Sequence, residues 1–127
     1  MTESRAAAKA LVAEMISPQM ADILAEAENS QEFGGYLGKF GLDFVFGELW
    51  VRPGLDRRSR SLFTLGILIA LRATEELNVH IPAALRNGVS RQELEELIYH
   101  ASAYAGFPAA ASARAQAARI LAANSTI

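Results

Sequence analysis

Thr74-Glu75-Glu76-Leu77-Asn78-Val79-His80-Ile81-Pro82-Ala83-Ala84-Leu85-Arg86-Asn87-Gly88-Val89-Ser90-Arg91-Gln92-Glu93-Leu94 carries the signals for one helix to start, stop and be followed by another. Thr74 reads as an N-cap, and Glu75 and Glu76 suit the positive first turn behind it. Asn87-Gly88 is a common helix exit. Ser90 and Glu93 have the spacing of a capping box, and the next helix follows to about Ala105 with Leu94, Leu97, Ile98, Ala101 and Ala105 on one face. Pro82 falls inside the first helix, removes the bond to the Asn78 carbonyl, and predicts a kink beside His80.

The same punctuation extends in both directions. Gly106 closes the Ser90 helix, and Pro108 begins an Ala-rich one to about Ala123. Upstream, Val51-Arg52-Pro53-Gly54-Leu55 is a turn, and Asp56 caps a helix from Arg57 to Leu71 that reads as mostly buried. Ser4 is expected to open a helix to Ile16, and Ser17-Pro18 another to Glu28. Phe33, Leu37, Phe40 and Phe44 recur at helical spacing in a glycine-containing segment ending near Leu49. Alanine occurs 24 times, and no alternating β-branched run is present. The expectation is an all-α, single-domain bundle of six or seven helices spanning residues 1–127.

Composition narrows the chemistry. The chain has 127 residues, 51% of them hydrophobic, with net charge −2 and no cysteine. That excludes disulfides, thiolate metal sites and thiol nucleophiles. No uncharged apolar run is long enough to span a bilayer, and the near-neutral balance gives no support for nucleic-acid or membrane binding. The N-terminal MTESRAAAKA lacks the order of a secretory signal, so a cytoplasmic protein is expected. Residues 52–72 hold five arginines against one acid, Asp56. This cluster suits either a small anionic ligand or a solvated helix end.

Glu76 and His80 are i,i+4 neighbours, as are His100 and Tyr104. Glu76, His80, Ala83 and Asn87 form a stripe beside the apolar face. There a carboxylate can orient an imidazole and raise its basicity for proton transfer, or the two can simply form an exposed pair. His100 with Tyr104 is equally compatible with a structural pair. Glu76-Leu77-Asn78-Val79-His80 is not HExxH, so a metal site is not expected.

Phe46-Gly47-Glu48-Leu49-Trp50-Val51-Arg52-Pro53-Gly54-Leu55-Asp56-Arg57-Arg58-Ser59-Arg60-Ser61-Leu62 resembles the opening segment of the carboxymuconolactone decarboxylase family. Glu75-Glu76-Leu77, His80, Asn87-Gly88, Glu93 and Tyr104-Ala105-Gly106-Phe107-Pro108-Ala109-Ala110 continue the pattern, so the likeness covers roughly residues 33–122. It implies a fold of the alkyl hydroperoxidase D-like type assembled as trimers or hexamers. The thiol pair of the superfamily's peroxidase branch would fall on Ala73 and Glu76, so the likeness implies the thiol-free branch.

That branch removes CO2 from 4-carboxymuconolactone, in aromatic-compound catabolism, with no metal or organic cofactor. The resemblance implies His80 as proton donor oriented by Glu76, and Arg52 or Arg58 as the grip on a small anionic substrate. Glu48, His100 and Tyr104 are then expected as polar lining. Ile81-Pro82-Ala83-Ala84 departs from the family's Leu-Arg-Ala-Ala and removes one cation. Rival readings are a different proton-transfer enzyme (isomerase, cyclase or hydrolase-like) on another small acid, and a non-catalytic ligand-binding oligomer.

Overall fold

The computed structural model describes residues 2–124; Met1 and residues 125–127 of the expected 1–127 domain lie outside the described residues. Among the described residues every regular element is helical, with seven α-helices and no strand. The chain divides into two compact units, Met1–Leu55 and Asp56–Ile127.

In the first unit, α1 (Glu3–Met15) is capped by Thr2, whose side chain accepts from the Arg5 N–H; Ser4, the expected cap, is already inside the helix. Ser17 caps α2 (Pro18–Ala25) by accepting from the Met20 N–H, with Pro18 at the first helical position. A 3-10 turn, Ala27–Asn29, replaces the expected last turn of that helix.

The segment expected as one helix through 33–49 is instead a short α3 (Leu37–Phe40) running into a π-helical stretch, Gly41–Leu49. The Phe33, Leu37, Phe40 and Phe44 stripe faces solvent, whereas Leu42, Phe46 and Trp50 are buried. They pack with Ala8, Val12 and Met15. Leu42, Phe46 and Trp50 recur every four residues on the side opposite Phe40 and Phe44, so the segment packs by its other face. Gly38 is needed for close approach, since a Cβ there would lie 2.9 Å from the Ala27 Cβ.

In the second unit, α4 (Arg57–Ala70) is capped by the Asp56 carboxylate, which accepts from the Ser59 N–H. That bond is the leading reason the Asp56 carboxyl lies below its ordinary range. Ser61, Leu65 and Ile69 form its buried face. Phe63, Ile67 and Leu71 are exposed, against the expectation of a mostly buried helix.

The helix ends with Arg72 at φ 57°. The Ala73 N–H donates to the Leu68 carbonyl at 2.9 Å and the Arg72 N–H to Ile69 at 3.1 Å, a Schellman closure with arginine in the position glycine usually fills. This closure displaces the expected Thr74 cap. Thr74–Glu76 forms a 3-10 turn, and α5 (Leu77–Arg86) begins after it without a side-chain cap bond.

Pro82 lies inside α5 and is buried. Gly88, at φ 99°, closes α5 as expected, with the Val89 N–H reaching the Ala84 carbonyl at 2.9 Å. The capping box of Ser90 and Glu93 opens α6 (Arg91–Tyr104). Gly106 and Pro108 open α7 (Phe107–Ala123). Leu65, Ile69, Leu77, Ile81, Leu94 and Ala113 share one core drawn from α4 to α7. The alanines of α7 at 109, 113 and 117 allow close helix approach there.

Candidate functional site

His80 is half-buried on α5, while Glu76 is exposed on the turn before it. Among the described residues the two share no hydrogen bond, so the carboxylate acts on the imidazole through space alone. Burial pushes the His80 imidazole below the ordinary histidine range, and the pull of Glu76 in the other direction is the smaller effect. The raised basicity expected from the spacing is therefore reversed. An exposed carboxylate is screened by water, whereas desolvation acts on the whole ring.

The stripe deepens along the helix, from exposed Glu76 through half-buried His80 to buried Ala83 and half-buried Asn87. Asn87 is fixed to α4 at its far end. Its Nδ2 donates to Ser61 Oγ at 2.9 Å, and its Oδ1 accepts from Arg57 Nε at 3.0 Å. Ser61 is only 3% exposed. Asn87 lies two turns after His80 on the same helix face, so this polar link sets the placement of the face that carries the imidazole.

Arg58 pairs with the Glu93 carboxylate through Oε2, while Glu93 Oε1 accepts from the Ser90 N–H at 2.9 Å. The guanidinium thus braces the start of α6. Arg52 is exposed in the turn of the first unit. Glu48 lies in that unit too, lining a shallow polar depression with Thr2, Ser4, Arg5 and Asp43. Asp43 there accepts from Lys39 at 2.7 Å and from Arg5 through both oxygens at 3.1 Å. Lys39 first and Arg5 second hold its carboxyl below the ordinary range.

His100 and Tyr104 stack on α6 with ring centroids 5.1 Å apart. Both line an open groove of about 900 Å³ between α4 and α6, whose walls include Phe63, Ile67 and Leu97 and whose acidic groups are Glu93 and Glu96. His80 and Arg58 are not among its lining residues. The structure therefore brings the expected residues together in pairs: Glu76 beside His80, His100 on Tyr104, and Arg58 on Glu93. Ser61 and Asn87 were not singled out as partners by sequence reasoning. A lone buried serine one turn into an apolar helix was the available signal.

An all-α unit that holds a half-buried histidine on a helix laced to its neighbour by Asn87 and Ser61 has the makings of a proton-transfer site with no thiol. Residues 37–119 match the carboxymuconolactone decarboxylase family. The chain belongs to that family. It is 46% identical over 86 residues to 4-carboxymuconolactone decarboxylase of Acinetobacter baylyi, covering 68% of this chain and 64% of the relative. It is also 46% identical over 66 residues to nitrosuccinic acid decarboxylase of Metarhizium robertsii, covering 52% and 46% of the two. An uncharacterized 15.0 kDa protein of Paracoccus denitrificans is 34% identical over 70 residues, 54% of this chain and 52% of that one. The chain thus spans less than two thirds of the length of each of these relatives. Among the described residues no helix is long and apolar enough to cross a membrane.

Proposed function

We propose that the chain is a cofactor-free carboxy-lyase acting on a small carboxylated acid, with 4-carboxymuconolactone as the first candidate. The observation that carries this reading is the half-buried His80 on α5, in a chain of this family that has no thiol. The names of two relatives support it, since both describe decarboxylation of an acid carrying its own electron-withdrawing group, a lactone in one and a nitro group in the other. The setting we propose is the cytoplasm and aromatic-compound catabolism, with the chain working as a homo-oligomer, a trimer or hexamer, on a small anionic substrate.

In the lactone, the C–C bond to the departing carboxylate breaks and CO2 leaves. The electron pair moves through the conjugated C=C bond onto the lactone carbonyl oxygen, and the resulting dienolate takes a proton at the α-carbon. His80 is the proposed donor. Partial burial keeps its proton from bulk water and leaves the imidazole neutral near pH 7 until an anion arrives beside it. Glu76 contributes a weaker field that favours the imidazolium.

The substrate carboxylates call for a guanidinium fork. Arg52 and Arg58 are the candidates for that grip, and Arg58 also holds Glu93. With Pro82 where the family has arginine, an acid with one carboxylate fewer is the alternative substrate.

The test is CO2 release by the purified chain from 4-carboxymuconolactone and from nitrosuccinate. Turnover of either supports the lyase reading, and turnover of neither overturns it for these two dicarboxylates. His80→Ala is expected to lose at least about a hundredfold in kcat. Near-normal kcat in a folded His80→Ala protein would show that another group delivers the proton.

A further inference from the structure

Arg72 takes φ 57° in the position that closes α4, and the Ala73 N–H reaches back past it to the Leu68 carbonyl at 2.9 Å. Glycine fills such a position without strain. The closure is made by backbone groups alone, so the arginine side chain adds nothing to it. Among the described residues the exposed Arg72 guanidinium makes no hydrogen bond or ion pair. A side chain kept under backbone strain with no bond inside the protein has its use outside it.

Its place relative to His80 follows from the register of two helices. α4 and α5 run antiparallel, tied at one end by Ser61 and Asn87 at 2.9 Å. Seven residues onward from Ser61 is Leu68, and seven back from Asn87 is His80. Each step is about two turns, so both residues stay on the meeting faces, at one level roughly 10 Å from the tie. Arg72 lies one further turn beyond Leu68, about 6 Å along. An extended arginine side chain covers that distance and can set its fork beside the imidazole. The first turn of α5 is fixed from another side, because Asn78 Oδ1 accepts from Gln116 Nε2 of α7 at 2.8 Å. Glu76, near the level of Arg72, makes no ion pair with it, so the fork is not already taken.

We infer that Arg72 is a substrate-binding residue, its guanidinium gripping a carboxylate of the small acid and holding that acid against His80. The inference rests on the proposed lyase reading and deepens it. A departing carboxylate loses its charge as CO2 forms, so a cation on it would favour the ground state over the transition state. The carboxylate that Arg72 grips is therefore one the substrate keeps. The substrate class is an acid with at least two carboxylates, one to leave and one to be held by the planar fork.

The test separates binding from turnover. Arg72→Gly relieves the strained closure and is expected to fold at least as well as the wild type. Succinate, a dicarboxylate with no electron-withdrawing group to drive loss of CO2, is titrated at constant ionic strength while the His80 ring resonances are followed by NMR. The wild type should show a saturable shift, and Arg72→Gly should weaken the affinity about tenfold or more. Arg72→Lys should recover part of the loss, and Arg114→Ala, at an exposed position of α7, should change nothing. With a substrate that turns over, Arg72→Gly should raise KM by a similar factor.

A succinate shift that depends on Arg72, in a protein that turns over neither candidate acid, would uphold this binding site while the lyase reading fails. An unmoved His80 in the wild type, or equal affinity in Arg72→Gly, would overturn the inference whatever the turnover. So would a loss that disappears in a Glu76→Gln background, which would show that Arg72 only offsets the Glu76 charge.

Discussion

Removing the Asn87 side chain should destabilise the second unit by about 2–3 kcal/mol, through a mechanism that a double-mutant cycle can isolate. Asn87→Ala deletes the bond to Ser61 Oγ at 2.9 Å and the bond from Arg57 Nε at 3.0 Å. Each such bond is worth about 1 kcal/mol net. Ser61 is 3% exposed, so loss of its donor adds about 1 kcal/mol for a buried hydroxyl left without that partner. Arg57 is half-buried and keeps other interactions, so its share is at the low end.

Ser61→Ala alone should cost about 1 kcal/mol, and the double variant less than the sum, with a coupling of about 1 kcal/mol. Asn87→Asp should lose under about 1 kcal/mol, because it retains the Arg57 acceptor and the Ser61 hydroxyl can turn to donate. Urea unfolding followed by far-ultraviolet circular dichroism reads these differences. At about 2 kcal/mol per molar, the Asn87→Ala midpoint falls by roughly 1 M. Additive effects of the two alanine substitutions would refute the claim that Asn87 acts through Ser61.

Arg72→Gly should raise stability by up to about 1 kcal/mol by relieving the left-handed arginine at φ 57°, whereas Gly88→Ala, at φ 99°, should lower it by about 1–2 kcal/mol; thermal melts check both. Arg58→Ala should cost no more than about 1 kcal/mol of stability, since both partners of its ion pair are about two-fifths exposed. If protonated His80 is the donor, kcat/KM should fall as pH rises through a value below 6.5, the ordinary histidine pKa, because burial depresses the imidazole of the free protein. The same depression means the unfolded chain binds the proton more readily, so stability should drop as pH falls from 6.5 toward the depressed value, and His80→Gln should flatten that slope in urea titrations at several pH values.

The parts of the fold legible in the sequence are those fixed by short-range chemistry. Ser17-Pro18, Asp56, Ser90 with Glu93 and Asn87-Gly88 act within one turn, and each sits where its side-chain chemistry requires. Thr74 has the same local qualification, but the left-handed Arg72 and the Schellman closure before it re-aim the chain, so a 3-10 turn occupies the place of a cap. Periodicity in residues 33–44 showed which rings share a face. It could not show which face packs: the buried stripe is Leu42, Phe46 and Trp50, at the same helical spacing but on the side opposite Phe40 and Phe44. On α4, Phe63 and Ile67 read as core for the same reason: an apolar residue states a preference for burial without naming what buries it. The roles of Arg57 and Arg58 were hidden because their partners, Asn87 and Glu93, lie on other helices.

The Glu76–His80 pair shows how much a spacing leaves open. Four residues of separation guarantee adjacency, and in water adjacency to a carboxylate would raise the imidazole's proton affinity. Here the carboxylate is on the wet side of the turn and the ring is drawn toward the core, so desolvation outweighs attraction. The consequence favours a reaction on anions. A resident carboxylate strong enough to hold His80 protonated would also repel an incoming one. A neutral imidazole in a partly buried place pays no such penalty, and an arriving carboxylate can raise its proton affinity at the moment the proton is required. On this reasoning the weak hold of Glu76 is suited to the proposed chemistry, and strengthening it should bind the proton more tightly while admitting the substrate less readily.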